Sequence, residues 1–203
     1  KFGVASIRVP AAIYQALRAR EFGSKICEIG PGLGRTAYFS RLLGVEKYTL
    51  VDLPISSLCQ AYFLGSSLPN EDFIFNHESL NEIRGFIFRQ PDTFMQESDQ
   101  YDLILNVDSL TEMDIDIARG YLTNFVGKTD WFLSINHEGN NFSIREIAAE
   151  LPEYKFLTSE KIFTISDNNN PLNNSNWERS HGNNSSNRFS NLKKINNNNA
   201  SNL

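Results

Sequence analysis

Three glycines at alternate positions constrain the fold of this chain more than any other feature. Gly30, Gly32 and Gly34 stand within the stretch KICEIGPGLGR, with an apolar segment before them and a helical one beginning near Arg35. Glycine adopts positive φ angles without strain and has no Cβ atom to collide with a bound group. The pattern therefore predicts a strand, a tight turn and a helix, with bare backbone facing a ligand. A tight turn without a ligand is the alternative.

Short apolar segments alternate with helical segments along the first 166 residues. The helices open or close at proline or glycine, as at Pro10, Gly44, Pro54 and Gly65. The segments predicted as core strands are KICEIG, YTLVDLP, GFIFRQP, YDLILNV and DWFLSIN, and DFIF is a further candidate. Strands that alternate with helices predict an α/β fold with a doubly wound, mostly parallel sheet.

The composition changes abruptly after Ser166. Fifteen of the last 37 residues are asparagine, and few of the others are large and apolar. Such a segment buries too little surface to offset its ordering entropy, so we expect residues 167–203 to form a disordered Asn-rich tail. Before it, KFL and KIFTIS are expected to pair as antiparallel strands around residues 158–160. We also expect the folded domain, residues 1–166, to be truncated at one or both ends.

Charge and cysteine content narrow the classes of partner. The net charge of −5 provides no basic field, so we expect neither a nucleic-acid partner nor an anionic membrane partner. No apolar run approaches the ~20 residues that span a bilayer. Cys27 and Cys59 lie far apart in apolar segments, which predicts two reduced core thiols in a cytoplasmic protein. The oligomeric state stays open.

Polar side chains gather where the predicted strands end. They are Glu28, Asp52, Asn106, Asp108, Asn136 and His137. In doubly wound sheets, ligands bind outside the carboxyl ends of the strands, near the point where the strand order reverses. The sequence therefore predicts one site at that edge of the sheet.

The glycine pattern departs from the dinucleotide fingerprint, whose third glycine would fall at Arg35. The pattern E-x-G-x-G-x-G resembles motif I of the class I S-adenosylmethionine-dependent methyltransferases. YTLVDLP, YDLILNVDSLTEM and LSINHE further resemble the sugar O-methyltransferase family, over residues 13–138. The resemblance implies a Rossmann-like methyltransferase fold for residues 1–166, with S-adenosylmethionine as cofactor. It also implies methyl transfer to a hydroxyl of a sugar or glycosylated small molecule.

The expected cofactor contacts follow from this resemblance and from the chemistry of the ligand. The helix after the glycines points free N–H groups at the ligand's carboxylate. Asp52 can bind both ribose hydroxyls, and Glu28 can face the amino group or balance the sulfonium charge. The expected cofactor-binding residues are Glu28, Gly30, Gly32, Gly34, Asp52, Leu53 and Asn106. Two alternatives remain, because Asp52 could help to start the Pro54 helix and Glu28 could bind local backbone N–H groups.

Methyl transfer to a hydroxyl needs an aligned acceptor and benefits from a base. The candidates are His137, Asp108 and Glu112, of which His137 has an ordinary pKa of about 6.5. Alternatively, Ser109 and Glu112 form a helix capping box, and His137 is a polar loop residue. A divalent cation held by Asp108 and Glu112 is a further interpretation that we do not favour.

The sequence is also compatible with three other functions. The chain could methylate another small molecule or a protein. It could instead be an inactive methyltransferase-like module for binding or assembly. A nicotinamide-dependent oxidoreductase is the third, and Arg35 disfavours it because the dinucleotide fingerprint needs a glycine there.

Overall fold

A computed structural model describes Ser6 and residues 8–75, 84–137, 140–163 and 187–195. These residues form one eight-stranded sheet in the order β3-β4-β2-β1-β5-β6-β8-β7. The strands are β1 (Lys25–Ile29), β2 (Lys47–Val51), β3 (Asp72–Phe75), β4 (Gly85–Arg89), β5 (Leu103–Val107), β6 (Trp131–His137), β7 (Tyr154–Phe163) and β8 (Asn187–Ile195). The first six strands are parallel, whereas β8 runs antiparallel to both of its neighbours. The predicted doubly wound, mostly parallel sheet is confirmed.

The described part of the chain has six α-helices, of which the first precedes β1 and the others connect strands. They are α1 (Arg8–Arg20), α2 (Arg35–Leu42), α3 (Pro54–Ser67), α4 (Pro91–Gln96), α5 (Ile115–Phe125) and α6 (Ile144–Ala149). Proline at the first position starts α3 and α4, where its missing N–H costs nothing. Ser143 and Glu146 form the predicted capping box of α6.

Helices cover both faces of the sheet. Successive residues of a strand face opposite sides, so Ile26 and Cys27 of β1 enter different cores. The core of Ile26 includes the helix residues Ala19, Ala37 and Leu64, from α1, α2 and α3. The core of Cys27 includes Phe94, Leu122 and Ile147, from α4, α5 and α6. Because helices cover both faces of the sheet, the loops that follow the parallel strands lie together at the carboxyl ends of those strands.

The strand order reverses at β1. This strand pairs in parallel with β2 on one side and with β5 on the other. The chain therefore leaves β1 toward α2 on one face and returns later through β5, which opens a crevice above the end of β1. Residues 30–34, here called the glycine loop, follow β1 directly. The fold therefore places this loop at the crevice.

The C-terminal strands differ from the sequence prediction. KFL and KIF belong to one continuous strand, β7, so the predicted turn at residues 158–160 is wrong. The pairing with β8 continues through these residues, after a register irregularity between Phe156 and Thr158. The antiparallel partner of β7 is β8, which lies inside the segment predicted to be disordered. β8 is held by backbone hydrogen bonds to β6 and β7. The sequence did not reveal this strand, because it lacks apolar periodicity. Residues 167–186 and 196–203 of that segment lie outside the described residues.

Two findings bear on the environment of the protein. In the described ranges, no helix is both long and apolar enough to cross a membrane. Both cysteines are free, and Cys27 is buried as expected. Cys59 is exposed, which corrects its assignment as a core thiol. The reason is that α3 turns Ser57, Gln60 and Leu64 toward the sheet and leaves Cys59 on its solvent side.

Candidate functional site

The glycine loop has left-handed backbone at all three glycines. The φ angles of Gly30, Gly32 and Gly34 are 65°, 58° and 79°. A Cβ atom at Gly30 would lie 2.3 Å from the side chain of Ser109, so this glycine is required by close packing. A Cβ atom at Gly32 would meet no heavy atom within 4 Å. The loop therefore packs against the protein at Gly30 and faces open space at Gly32, as a loop that cradles a ligand must.

Helix α2 begins directly at this loop. Its N-cap is Gly34, which has no side chain to satisfy the N–H groups of the first turn. An α-helix leaves its first four N–H groups without partners inside the helix, and they carry partial positive charge. The start of α2 can therefore bind an anionic group placed above the loop.

Asp52 is fixed at the end of β2 by two hydrogen bonds. Its Oδ1 accepts from the backbone N–H of Leu53 at 2.8 Å, and its Oδ2 accepts from the side-chain amide of Gln60 at 2.8 Å. Asp52 is half-buried, and the N-cap of α3 is Leu53 with no side-chain cap. Asp52 is thus not the cap of α3. Its carboxylate keeps unused lone pairs that two ribose hydroxyls could bind.

Glu28 is a buried carboxyl beneath the loop. Its side chain is 2% exposed and accepts a hydrogen bond of 2.7 Å from the hydroxyl of Tyr48. Burial raises the pKa of Glu28 to about 7, and the nearby charge of Asp52 adds to this increase. The hydrogen bonds from Tyr48 and Thr36 oppose the increase in pKa. The described partners of Glu28 are therefore side chains and not the backbone N–H groups of the alternative hypothesis.

Asn106 and Ser109 bind the backbone directly before the glycine loop. Asn106 donates from Nδ2 to the carbonyl of Ile29 at 3.2 Å and to the Ser109 hydroxyl at 2.6 Å. Ser109 donates to the same carbonyl at 2.7 Å. Asn106 is fully buried, so the structure places it under Gly30 and not at the open side of the loop. These contacts fix the end of β1 from which the glycine loop begins.

The proposed capping box at Ser109 and Glu112 is wrong. The 3₁₀ turn Leu110–Glu112 has no side-chain cap, because the Ser109 hydroxyl is bonded to Ile29 instead. Helix α5 is capped by Asp114, whose side chain accepts from the N–H of Asp116. Glu112 is exposed and free of that capping role, so it stays a candidate site residue.

The ends of β5 and β6 lie side by side. The two strands pair in parallel, and the N–H of Asp108 donates to the carbonyl of Ile135 at 2.9 Å. Asp108 has a φ of 61°, a conformation uncommon outside glycine that occurs often at functional sites. Thr111 connects the two ends, because its hydroxyl lies 3.0 Å from the Asp108 carbonyl and 3.3 Å from Oδ1 of Asn136 and donates its single hydrogen between these two acceptors. His137 is the last residue of β6, next to Asn136.

The structure thus brings most of the predicted residues to one edge of the sheet, in two groups. The glycine loop, Glu28 and Asp52 surround the end of β1, while Asp108 follows β5 and His137 is the last residue of β6. Leu53 is 60% exposed beside Asp52. Among the described residues, no group of three or more His, Cys, Asp or Glu side chains could hold a metal ion.

Sequence reasoning missed Gln60, Ser109 and Thr111. Gln60 could have been found, because it stands among the residues of α3 that face the sheet, where a polar side chain needs a partner. The roles of Ser109 and Thr111 depend on contacts with residues far away in sequence. No local pattern predicts such contacts.

An open apolar groove of about 670 Å³ borders the loop on its α3 side. It is lined by Leu33, Leu58, Cys59, Tyr62, Phe63, Ser66 and Ser67. No residue that follows β5 or β6 is among them. The groove therefore does not include the predicted catalytic residues Asp108, Glu112 and His137. It borders the glycine loop through Leu33.

Comparisons with known proteins give the fold. No family model matches the chain, and no curated protein sequence matches it. A SAM-dependent methyltransferase from Anabaena variabilis has a TM-score of 0.63 at 10% identity, over 94% of this chain and 86% of that one. Magnesium protoporphyrin IX methyltransferase from Synechocystis PCC 6803, with bound SAM, gives 0.59 at 11% identity, over 96% and 86%. Mitomycin 7-O-methyltransferase gives 0.60 at 15% identity, over 94% and 55%.

The chain therefore has the fold of the class I S-adenosylmethionine-dependent methyltransferases. At 10–15% identity, these structures define the fold and not the reaction of this protein. They also do not single out the sugar O-methyltransferases, so that finer resemblance remains a hypothesis.

Proposed function

We propose that this protein binds S-adenosylmethionine and transfers its methyl group to a hydroxyl of a sugar or a glycosylated small molecule. The observation that carries the proposal is the pairing of a left-handed glycine loop, open at Gly32, with a fixed carboxylate at Asp52. Both lie at the crevice where the strand order reverses. The methyltransferase fold supports the choice of cofactor, and the motifs after β2, β5 and β6 support the choice of acceptor.

The proposed cofactor contacts follow the chemistry of the ligand. The start of α2 binds the amino-acid carboxylate, and Asp52 binds the ribose hydroxyls. Glu28 lies beneath the loop, buried and bonded to Tyr48, where its ionised form balances the sulfonium charge of the cofactor. Leu53 offers an exposed apolar side chain next to the ribose position. Asn106 acts indirectly, by holding the loop at the end of β1.

The proposed chemistry takes place beyond β5 and β6. The bound cofactor supplies an electrophilic methyl group on a sulfonium. His137 takes the proton of the acceptor hydroxyl as a general base and Asp108 orients it, or Asp108 takes that proton itself. Glu112 lies on the turn that follows Asp108 and provides an additional carboxylate near the acceptor. No metal ligand is assigned, since the described carboxylates form no ligand cluster.

We further propose that residues 1–166 carry the catalytic unit, to which β8 adds one strand. The two free cysteines support a reducing, cytoplasmic location. The partner is a small-molecule acceptor, and the formal charge of −5 gives no support for nucleic acid.

Transfer from labelled cofactor tests this function. The protein is incubated with methyl-labelled S-adenosylmethionine and a panel of sugars and glycosides, and products are detected by mass spectrometry. Labelled O-methyl sugar is the expected result. If the protein binds S-adenosylhomocysteine but transfers the methyl group only to non-sugar acceptors, the proposed sugar acceptor is wrong. Binding without any transfer would favour the inactive binding module.

A further inference from the structure

Gln60 connects the two halves of the proposed cofactor site. It lies on the sheet-facing side of α3 and is fully buried. Its Nε2 donates to the carbonyl of Gly32 at 2.8 Å and to Oδ2 of Asp52 at 2.8 Å. One side-chain amide therefore spans the glycine loop after β1 and the carboxylate after β2.

The orientation of this amide is determined by its partners. A carbonyl and a carboxylate only accept hydrogen bonds, and an amide nitrogen has two hydrogens to donate. Both hydrogens of Gln60 are used, so its Oε1 must point the other way. Within the described residues Oε1 is buried and has no hydrogen-bond partner.

The unpartnered oxygen makes glutamine a costly choice for stability alone. A buried acceptor without a partner destabilises the folded state, which an apolar side chain of the same size would avoid. Residues that break a packing rule without a compensating structural gain mark functional sites more often than other positions do. The gain at Gln60 is the control of Gly32 and Asp52.

We propose that Gln60 is a positioning residue that fixes the Asp52 carboxylate for recognition of the cofactor's ribose hydroxyls. This inference rests on the proposed function, because it presumes that Asp52 binds a ribose. Leu53 holds one oxygen of Asp52 and Gln60 holds the other, so the carboxylate cannot rotate away from the ligand. The bond to the Gly32 carbonyl sets the distance between this carboxylate and the glycine loop.

The test uses Gln60→Met, which keeps the length and removes both hydrogen bonds. Calorimetric titrations compare S-adenosylhomocysteine with its 2′-deoxy analogue, which lacks one ribose hydroxyl. We expect Gln60→Met to weaken S-adenosylhomocysteine binding by about 10-fold, because an Asp52 carboxylate that is no longer held makes weaker hydrogen bonds to the ribose hydroxyls. The preference for the ligand with both hydroxyls should fall with it. Gln60→Asn, which keeps the amide but cannot reach both partners, should behave in the same way and serves if the Met variant does not fold.

A double-mutant cycle separates positioning from general structural support. In an Asp52→Ala background, Gln60→Met should cause a clearly smaller loss than in the wild-type background, because only its bond to the Gly32 carbonyl remains to be removed. Asn124→Leu on α5 is the control, since Asn124 also donates to a carbonyl and has a buried oxygen without a described partner. It should leave the affinity and the ribose preference unchanged.

Three outcomes would overturn the inference. Wild-type affinity and preference in both Gln60 variants would show that Gln60 positions nothing, with the proposed function intact. An undiminished loss in the Asp52→Ala background would show that Gln60 does not act through Asp52. If the wild-type protein binds no S-adenosylhomocysteine, the proposed function fails and this inference fails with it.

Discussion

Replacing Glu28 by glutamine should remove a large pH dependence of stability. Glu28 is buried near the end of β1, and its polar neighbours include Tyr48, Thr36 and Asp52. Glutamine has nearly the same shape and can still accept the hydrogen bond from the Tyr48 hydroxyl. The substitution therefore keeps the packing and removes only the ionisable group.

The magnitude follows from the raised pKa. The pKa of Glu28 increases from 4.5 to about 7, chiefly because burial disfavours its charged form. Each pKa unit corresponds to about 1.4 kcal/mol, so the full effect is about 3 kcal/mol. The folded state binds the proton more tightly than the unfolded state. Its contribution to stability is thus fully present below pH 4.5 and is lost as the pH rises through 7.

The assay is urea denaturation of the wild-type protein and Glu28→Gln at pH 5 and pH 8. The difference between the two proteins cancels the titration of all other groups. At pH 5 Glu28→Gln should be more stable by no more than about 1 kcal/mol, and at pH 8 by about 3 kcal/mol. If the two proteins differ in free energy of unfolding by the same amount at both pH values, the pKa of Glu28 is not raised in the folded state.

Two further predictions concern ligand binding and turnover. Asp52→Ala should weaken S-adenosylhomocysteine binding by about 1–3 kcal/mol, because hydrogen bonds to a charged group are lost, and calorimetric titration measures this. His137→Ala and Asp108→Ala should each lower single-turnover transfer by about 10²-fold or more, with cofactor affinity nearly intact. If they act as a unit, the double variant should lose little more than the worse single variant.

Each of these predictions has a control. Asp116→Ala removes an exposed carboxylate on α5 and should leave binding unchanged. Glu112→Gln removes a charge next to the catalytic group, and a near-normal rate would exclude Glu112 from proton transfer. Full turnover in both His137→Ala and Asp108→Ala would move the reaction away from the ends of β5 and β6.

Most of the sheet could be predicted from the sequence, since buried parallel strands are nearly continuous apolar runs. KICEI, KYTLV and LILNV are such runs, and each forms a core strand. The glycine loop was predictable because positive φ angles at three alternate positions require glycine. These features are local, so the chain itself displays them.

The errors came from contacts between distant residues. Ser109 and Glu112 have capping-box spacing, but the Ser109 hydroxyl bonds to Ile29, 80 residues away in sequence. The antiparallel partner of β7 is β8 and not a segment of its own sequence neighbourhood. Cys59 is exposed because α3 faces the sheet with its polar residues Ser57 and Gln60, which inverts the usual apolar pattern.

The most direct test of the proposed cofactor site is a calorimetric titration with S-adenosylhomocysteine of wild type, Gly32→Val and Gly127→Val. Both glycines have positive φ, and a Cβ atom at either would meet nothing within 4 Å, so both substitutions strain the backbone without a steric clash. Only Gly32 faces the proposed ligand. We predict saturable binding to wild type and Gly127→Val, and none to a folded Gly32→Val. Absence of binding to the wild-type protein, or equal binding to all three, would contradict the assignment of this loop to S-adenosylmethionine.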